Sequence, residues 1–184
     1  MSEEELIIKA KNGNRQAFQQ LVEMYYPTVE RFAFQLGNPH HEVDDIVQEV
    51  FLRVYRFLDQ FSQNKFSTWL YKITLNVTRD MARKKSQNLR KVVKIKKERT
   101  EDQPPVEKYI LQDEDDRVLH QCIQRLDEKY RLPILLFYFH DKKYDEIAHI
   151  LDVRLPTVKT RMLRAKQMLK KLLKEQAEGG EHHG

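Results

Sequence analysis

Cysteine is almost absent from this chain. The single thiol, Cys122, excludes an internal disulfide framework and a cysteine-rich zinc site, and it suits a core position in a reducing compartment. Glycine is scarce as well, with five among 184 residues, and no Gly-rich loop is available to cradle nucleotide phosphates. No apolar run approaches the length of a membrane span, and the opening Met1-Ser2-Glu3-Glu4-Glu5 is acidic where a secretory signal would be basic. We therefore expect a cytoplasmic protein with no disulfide, no metal and no cofactor.

What is present points to helices. The chain is 33% charged and 40% hydrophobic, a folded, helix-rich composition, so we expect an all-α protein. A formal net charge of +5 favours a polyanionic partner, but its distribution says more than its total. Arg83, Lys84, Lys85, Arg90, Lys91, Lys94, Lys96, Lys97 and Arg99 face one acid, Glu98. The sign then reverses through Glu101, Asp102, Glu107, Asp113, Glu114, Asp115 and Asp116, with Pro104-Pro105 barring a continuous helix. This predicts two small helical domains, 1–85 and 113–176, joined by a charged flexible linker over 86–112 and followed by a polar tail over 177–184. The paired His182-His183 of that tail read as a solvated end.

In the first domain, Asn12-Gly13-Asn14 separates a short helix from a longer one carrying Phe18, Leu21, Val22, Tyr25, Val29, Phe32, Ala33 and Leu36 at helical spacing. Pro27 is expected to kink or split it. Asn38 is expected to cap the next helix, with Pro39 as its first residue. There Val43, Ile46, Val47, Val50, Phe51, Val54 and Leu58 form a buried stripe, leaving Asp44, Asp45, Gln48, Glu49, Arg53 and Arg56 outside. Periodicity leaves two readings of that acidic face open: carboxylates favoured by the helix dipole, or a patch that grips a basic partner helix.

The stretch 66–80 reads as a helix with two faces. Leu70, Ile73, Val77 and Met81 supply the inner one, and Trp69, Lys72, Asn76, Arg79, Asp80 and Arg83 the other. An aromatic ring, an amide and several cations suit unpaired nucleotides, which expose base faces for stacking and phosphates for pairing. A tryptophan at a helix start also serves as a core anchor, and the residues alone do not decide between the two.

The second domain begins with a helix carrying Val118, Leu119, Cys122, Ile123 and Leu126, then the apolar run 132–139, expected to be buried with Pro133 near a helix start. Tyr144-Asp145-Glu146-Ile147-Ala148-His149-Ile150-Leu151, a turn at 152–155, and a helix from Pro156 follow. In the last, Val158, Met162, Ala165, Leu169 and Leu172 point inward, leaving Thr157, Thr160, Arg161 and Arg164 outward with Lys159 at the border. No acid occurs from Thr157 until Glu175. This is the pattern of a helix-turn-helix whose second helix enters the DNA major groove.

Taken together, three segments resemble the extracytoplasmic-function sigma factors, small two-domain members of the sigma-70 family. Glu42-Val43-Asp44-Asp45-Ile46-Val47-Gln48-Glu49-Val50-Phe51-Leu52-Arg53-Val54-Tyr55 is similar to the family's core-polymerase-binding segment. Phe66-Ser67-Thr68-Trp69-Leu70-Tyr71-Lys72-Ile73-Thr74-Leu75-Asn76 resembles the segment that melts and reads the minus-10 element, and 144–166 resembles the minus-35 helix-turn-helix. The resemblance implies a protein that directs core RNA polymerase to promoters, in a stress or envelope response. Asp44, Asp45, Gln48, Glu49 and Arg53 would meet the β′ clamp helices of the polymerase, and the second domain its β flap. Phe66, Ser67, Thr68, Trp69, Lys72, Asn76, Arg79 and Arg83 would hold the melted non-template strand. Pro156, Thr157, Lys159, Thr160, Arg161, Arg164 and Lys166 would read duplex promoter DNA. The linker would thread the polymerase cleft, and an anti-sigma factor, often membrane-bound, would control the protein. Family members often carry glycine where Asp152 and Pro156 stand here, and serine where Thr160 stands.

Two other classes compete. A stand-alone helix-turn-helix regulator would leave the acidic face unused. An enzyme would need Asp44, Asp45, Glu49 and His40 or His41 as a divalent-metal site, without any further acid/base pair.

Overall fold

The computed structural model describes residues 1–62, 65–92 and 113–180, and among them there is no strand. The chain divides into two compact units, Met1–Pro105 and Val106–Gly184. The linker's expected path and the paired histidines of the tail lie outside the described residues.

The first unit holds α1 (Glu3–Lys11), α2 (Arg15–Gln35), α3 (His40–Phe57), a 3-10 turn (Leu58–Gln60) and α4 (Phe66–Val92). Ser2 Oγ accepts the Glu5 amide at 3.2 Å while the Glu5 carboxylate accepts that of Ser2, so two of the orphan donors that open α1 are satisfied. Gly13, at φ +82, turns the chain, and Asn14 Oδ1 accepts the Ala17 amide at 3.0 Å to start α2.

Pro27 does not split α2, which runs through it. Pro27 and Glu23, whose carbonyl loses its helical partner, both lie on the exposed side, where water can replace the missing donor. Nor does Asn38 cap α3: its side chain turns back to donate to the Ala33 carbonyl at 2.7 Å, closing the end of α2. Pro39 occupies the cap position of α3 without a side-chain bond.

The three long helices meet over a core that includes Phe32, Ala33, Val43, Ile46, Val50, Leu70 and Val77. Each large apolar side chain removed from water there contributes roughly 1.5–3 kcal/mol. The inner face of α4 differs from its expected one. Ile73 and Met81 are half-buried, while Tyr71, Thr74 and Leu75 are buried, with Tyr71 edge-on to Phe32 at 4.9 Å and the Thr74 hydroxyl donating to Leu70 O at 2.9 Å.

Helix α4 also continues to Val92, seven residues into the expected linker. Like charges along it cost only tenths of a kcal/mol per pair, which the helix propensity of Lys, Arg, Gln and Leu offsets. Lys85 Nζ meets Glu42 Oε1 on α3 at 2.5 Å, and Arg90 and Lys91 suit the negative end of the dipole.

The second unit holds α5 (Glu114–Gln124), α6 (Glu128–Ile134) continued by a π turn (Leu135–Phe139), α7 (Tyr144–Leu151) and α8 (Leu155–Gly180). Glu114, Asp115 and Asp116 form the first turn of α5, where the dipole favours acids. Pro133 sits sixth in α6, not near its start, and the wider π turn follows it directly. Within the apolar run, residues 132–136 are buried but Tyr138 is exposed. Helix α8 runs four residues into the expected tail, carried by Ala177 and by Glu178, which pairs with Lys174 at 3.9 Å, and it ends on Gly179 and Gly180, which favour a helix least.

Candidate nucleic-acid and protein interfaces

Three surfaces carry the expected site residues. On α3, Asp44, Asp45 and Gln48 are exposed and Glu49 is half-buried beside them. Asp44 and Asp45 are the fifth and sixth residues of the helix, beyond the first turn where the dipole acts most strongly; Glu42 takes that position. The dipole therefore accounts for Glu42 better than for the aspartates, both of which are exposed. Leu52 and Tyr55, one and two turns further on, are 57% and 61% exposed and extend this face with apolar surface that the charged pattern did not reveal. Their absence from the buried stripe was the available signal. Phe18 supports Tyr55 edge-on at 5.1 Å.

Arg53 does not join this surface outright. Its Nε donates to Glu49 Oε1 at 2.8 Å and its Nη1 to Asp80 Oδ2 at 2.8 Å, bridging α3 and α4. Hydrogen bonds to Glu49 and then Asp80 raise its pKa, and the Arg53 hydrogen bond holds the Asp80 carboxyl below its usual range.

On α4, Asn76, Arg79 and Arg83 are exposed and Ser67, Trp69 and Lys72 half-buried. The steps from Trp69 through Lys72, Asn76, Arg79 and Arg83 are three or four residues, which places them along one side of the helix. Phe66 and Thr68 are not on that side: they are 3% and 8% exposed. The first turn of α4 packs inward, so Phe66 lies among Tyr25, Phe61 and Trp69 at centroid distances of 5.2, 5.5 and 5.7 Å. It packs beneath Trp69 and is itself buried.

Phe61 and Lys11 belong to the same assembly and were not visible in the sequence pattern. The Phe61 ring tilts against Trp69 at 5.2 Å, and Lys11 both donates to the Phe61 carbonyl and stands 5.5 Å over its ring. Tyr25 donates to Glu3 at 2.8 Å, and burial followed by that bond pushes its hydroxyl pKa up.

In the second unit, α7 and α8 meet at a turn over 152–154. Asp152 takes φ +55 and ψ 44, the left-handed conformation that glycine adopts most easily and aspartate tolerates, and the Val153 amide closes onto Ala148 O at 3.0 Å. The Lys143 amide donates to Glu146 at 2.8 Å at the head of α7. Helix α8 starts one residue before Pro156, so the missing proline donor falls among amides that need no helical partner.

Val158, Met162 and Ala165 are buried. Pro156, Lys159, Thr160, Arg164 and Lys166 are exposed, and Thr157 and Arg161 half-buried. The Thr160 hydroxyl donates to Pro156 O at 3.0 Å, leaving its oxygen to accept from a ligand. Lys166 leans over the exposed Tyr138 ring at 5.8 Å, and Leu163 adds an exposed apolar side chain within the basic face.

Among the described residues no group of three or more His, Cys, Asp or Glu side chains could hold a metal ion, and no helix is long and apolar enough to cross a membrane.

A basic helix side in the first unit and a helix-turn-helix in the second are features of a nucleic-acid-binding protein. The family model for sigma-70 region 2 matches residues 21–88, and that for sigma-70 region 4 matches 116–169. The ECF RNA polymerase sigma factor SigW of Bacillus subtilis is 33% identical over 178 residues, covering 92% of this chain and 95% of that protein. The ECF RNA polymerase sigma-E factor of Escherichia coli K12 is 29% identical over 178 residues, covering 92% and 93%. The solved structure of CnrH in complex with the cytosolic domain of CnrY superposes with a TM-score of 0.71 at 26% identity, over 92% of this chain and 96% of that one. The fold is shared with the sigma factor RpoE, solved in complex with the anti-sigma factor NepR from Bartonella quintana, at a TM-score of 0.68 and 24% identity over 85% and 96%. The chain belongs to the extracytoplasmic-function sigma factors of the sigma-70 family.

Proposed function

We propose that the three surfaces divide the work of promoter-directed initiation as follows. The outer face of α3, with Asp44, Asp45, Gln48, Glu49, Leu52 and Tyr55, docks on the β′ clamp helices of core RNA polymerase. The exposed side of α4, with Trp69, Lys72, Asn76, Arg79 and Arg83, holds the unwound minus-10 strand. The basic face of α8, with Lys159, Thr160, Arg161 and Arg164, reads the minus-35 duplex, and the second unit contacts the β flap. The protein works in the cytoplasm, carries out no catalytic step itself, and is covered by an anti-sigma factor until released.

The observation that carries this reading is the opposite charge of neighbouring helix faces within one unit. Exposed Asp44 and Asp45 on α3 suit a basic protein helix, while Arg79, Arg83 and Asn76 on α4 suit a nucleic-acid strand. A stand-alone duplex reader would use α8 and leave both unemployed. Mixing the purified chain with core polymerase and a promoter fragment tests the reading: Asp45→Lys should abolish assembly with core while leaving duplex contacts of α8 intact. Assembly undiminished by Asp44→Lys and Asp45→Lys together would overturn the α3 assignment.

A further inference from the structure

Asp80 is the one acidic residue between Lys65 and Val92, a stretch otherwise charged only by lysine and arginine. Helical spacing sets it one turn from Asn76 and Lys84 and next to Arg79 and Arg83, at the edge of the side of α4 proposed to hold DNA. A bare carboxylate there would repel the phosphates that its neighbours attract. It is not bare. Arg53 reaches across from α3 to Asp80 Oδ2 at 2.8 Å, and is itself braced by Glu49 at 2.8 Å. The Arg53 side chain is 23% exposed, so most of it is committed to this bridge. Arg83 lies further from the same carboxylate, 3.5 Å from Oδ1, and its side chain is 68% exposed.

We infer that Arg53 is a positioning residue for promoter DNA, which neutralises Asp80 and leaves the Arg83 guanidinium available to the strand. A guanidinium does not lose its proton, so Arg53 offsets the Asp80 charge throughout the working pH range while sharing its own charge with Glu49. Without Arg53, Asp80 either stands as an uncompensated negative charge beside the DNA or draws Arg83 onto itself. The α4 surface loses one effective positive charge in both cases. The family resemblance implied that Arg53 meets polymerase; its bond to Asp80 turns its charge toward α4 instead.

The inference rests on the proposed role of α4, and a simple mechanical tie between α3 and α4 is the rival account. A charge cycle on the full-length protein separates them. The probe is a promoter fragment recovered from a randomised DNA pool by the wild-type protein with core polymerase. Binding by the same assembly is followed from about 0.05 to 0.2 M salt.

Arg53→Ala should weaken promoter binding about fivefold to tenfold at about 0.1 M salt, with the log–log salt slope shallower by about 0.7–0.9. Arg53→Ala with Asp80→Asn should return affinity to within about twofold of wild type and restore the slope. Asp80→Asn alone should bind at least as tightly as wild type. A tie predicts the reverse: Asp80→Asn alone weakens binding and lowers the unfolding temperature, and the double variant is no better than Arg53→Ala. Either of those results overturns the inference, as does a loss of core affinity in Arg53→Ala, measured without DNA, that Asp80→Asn does not repair. If Arg53→Ala does not fold, Asp80→Asn alone still decides, because only the tie predicts that it weakens binding. Failure of the wild-type protein to bind any promoter with core would sink the proposed function itself, whereas wild-type binding with failed rescue sinks only this inference.

Discussion

Lys11 on α1 holds the backbone carbonyl of Phe61, fifty positions further along the chain, and its ammonium lies over the Phe61 ring. The ring in turn lies against Trp69 at the head of α4. Helix α1 falls outside the residues matched by the sigma-70 region 2 model, yet it fixes the loop that supports the aromatic end of the proposed minus-10 surface. A hydrogen bond of about 1 kcal/mol and a cation–π contact of about 0.5–1 kcal/mol are at stake. Lys11→Met should therefore slow promoter opening about threefold to tenfold, read by fluorescence of a base analogue in the melted region, with core affinity unaltered.

Phe66 and Trp69 should separate cleanly. Phe66 is buried, so Phe66→Ala should destabilise the first unit by about 3–5 kcal/mol, seen as a lower denaturation midpoint. Trp69 is half-exposed, so Trp69→Ala should leave the midpoint nearer that of wild type and instead cost about 1–3 kcal/mol of strand binding, read by footprinting of unpaired thymines.

On α8, two kinds of contact give different signatures. Arg164→Ala is expected to weaken minus-35 recognition by about 1–3 kcal/mol and to relax base preference at one position. Lys159→Ala should weaken all duplexes alike and reduce the salt slope by about 0.9. Selection from randomised minus-35 sequences with each variant distinguishes the two.

Acid should weaken the second unit through His120. Burial lowers its pKa, so the unfolded chain binds the proton more readily than the native one. Stability from this group is complete above its ordinary pKa of about 6.5 and is lost as pH falls from there through the lower native value. Chemical unfolding of the protein between about pH 5 and 7 should show this slope, and His120→Asn should flatten it.

Much of this was legible in the sequence because period and charge are local properties. The stripe Val43, Ile46, Val47, Val50 and Val54 on α3 and the trio Val158, Met162 and Ala165 on α8 are buried as their spacing requires. Two kinds of feature were hidden. Cap geometry depends on which of two nearby helix ends a side chain serves, and Asn38 serves α2. Long-range pairs leave no periodic trace. Arg53 is outside the α3 stripe whether it meets polymerase or Asp80, and nothing local to Phe61 points to Lys11. The burial of Phe66 was hidden too: the family resemblance set it beside the strand, and nothing local to the first turn of a helix says whether the incoming chain covers a residue there.

The central claim is that the acidic face of α3 recruits polymerase and the basic side of α4 opens the promoter. Open-complex footprinting on a selected promoter tests it most directly, with core polymerase and either wild-type protein, Asp45→Lys or Asn76→Ala. The account predicts no polymerase footprint with Asp45→Lys, and with Asn76→Ala a footprint that covers the minus-35 element but shows reduced reactivity of unpaired bases at minus-10. Full melting by both variants would contradict it.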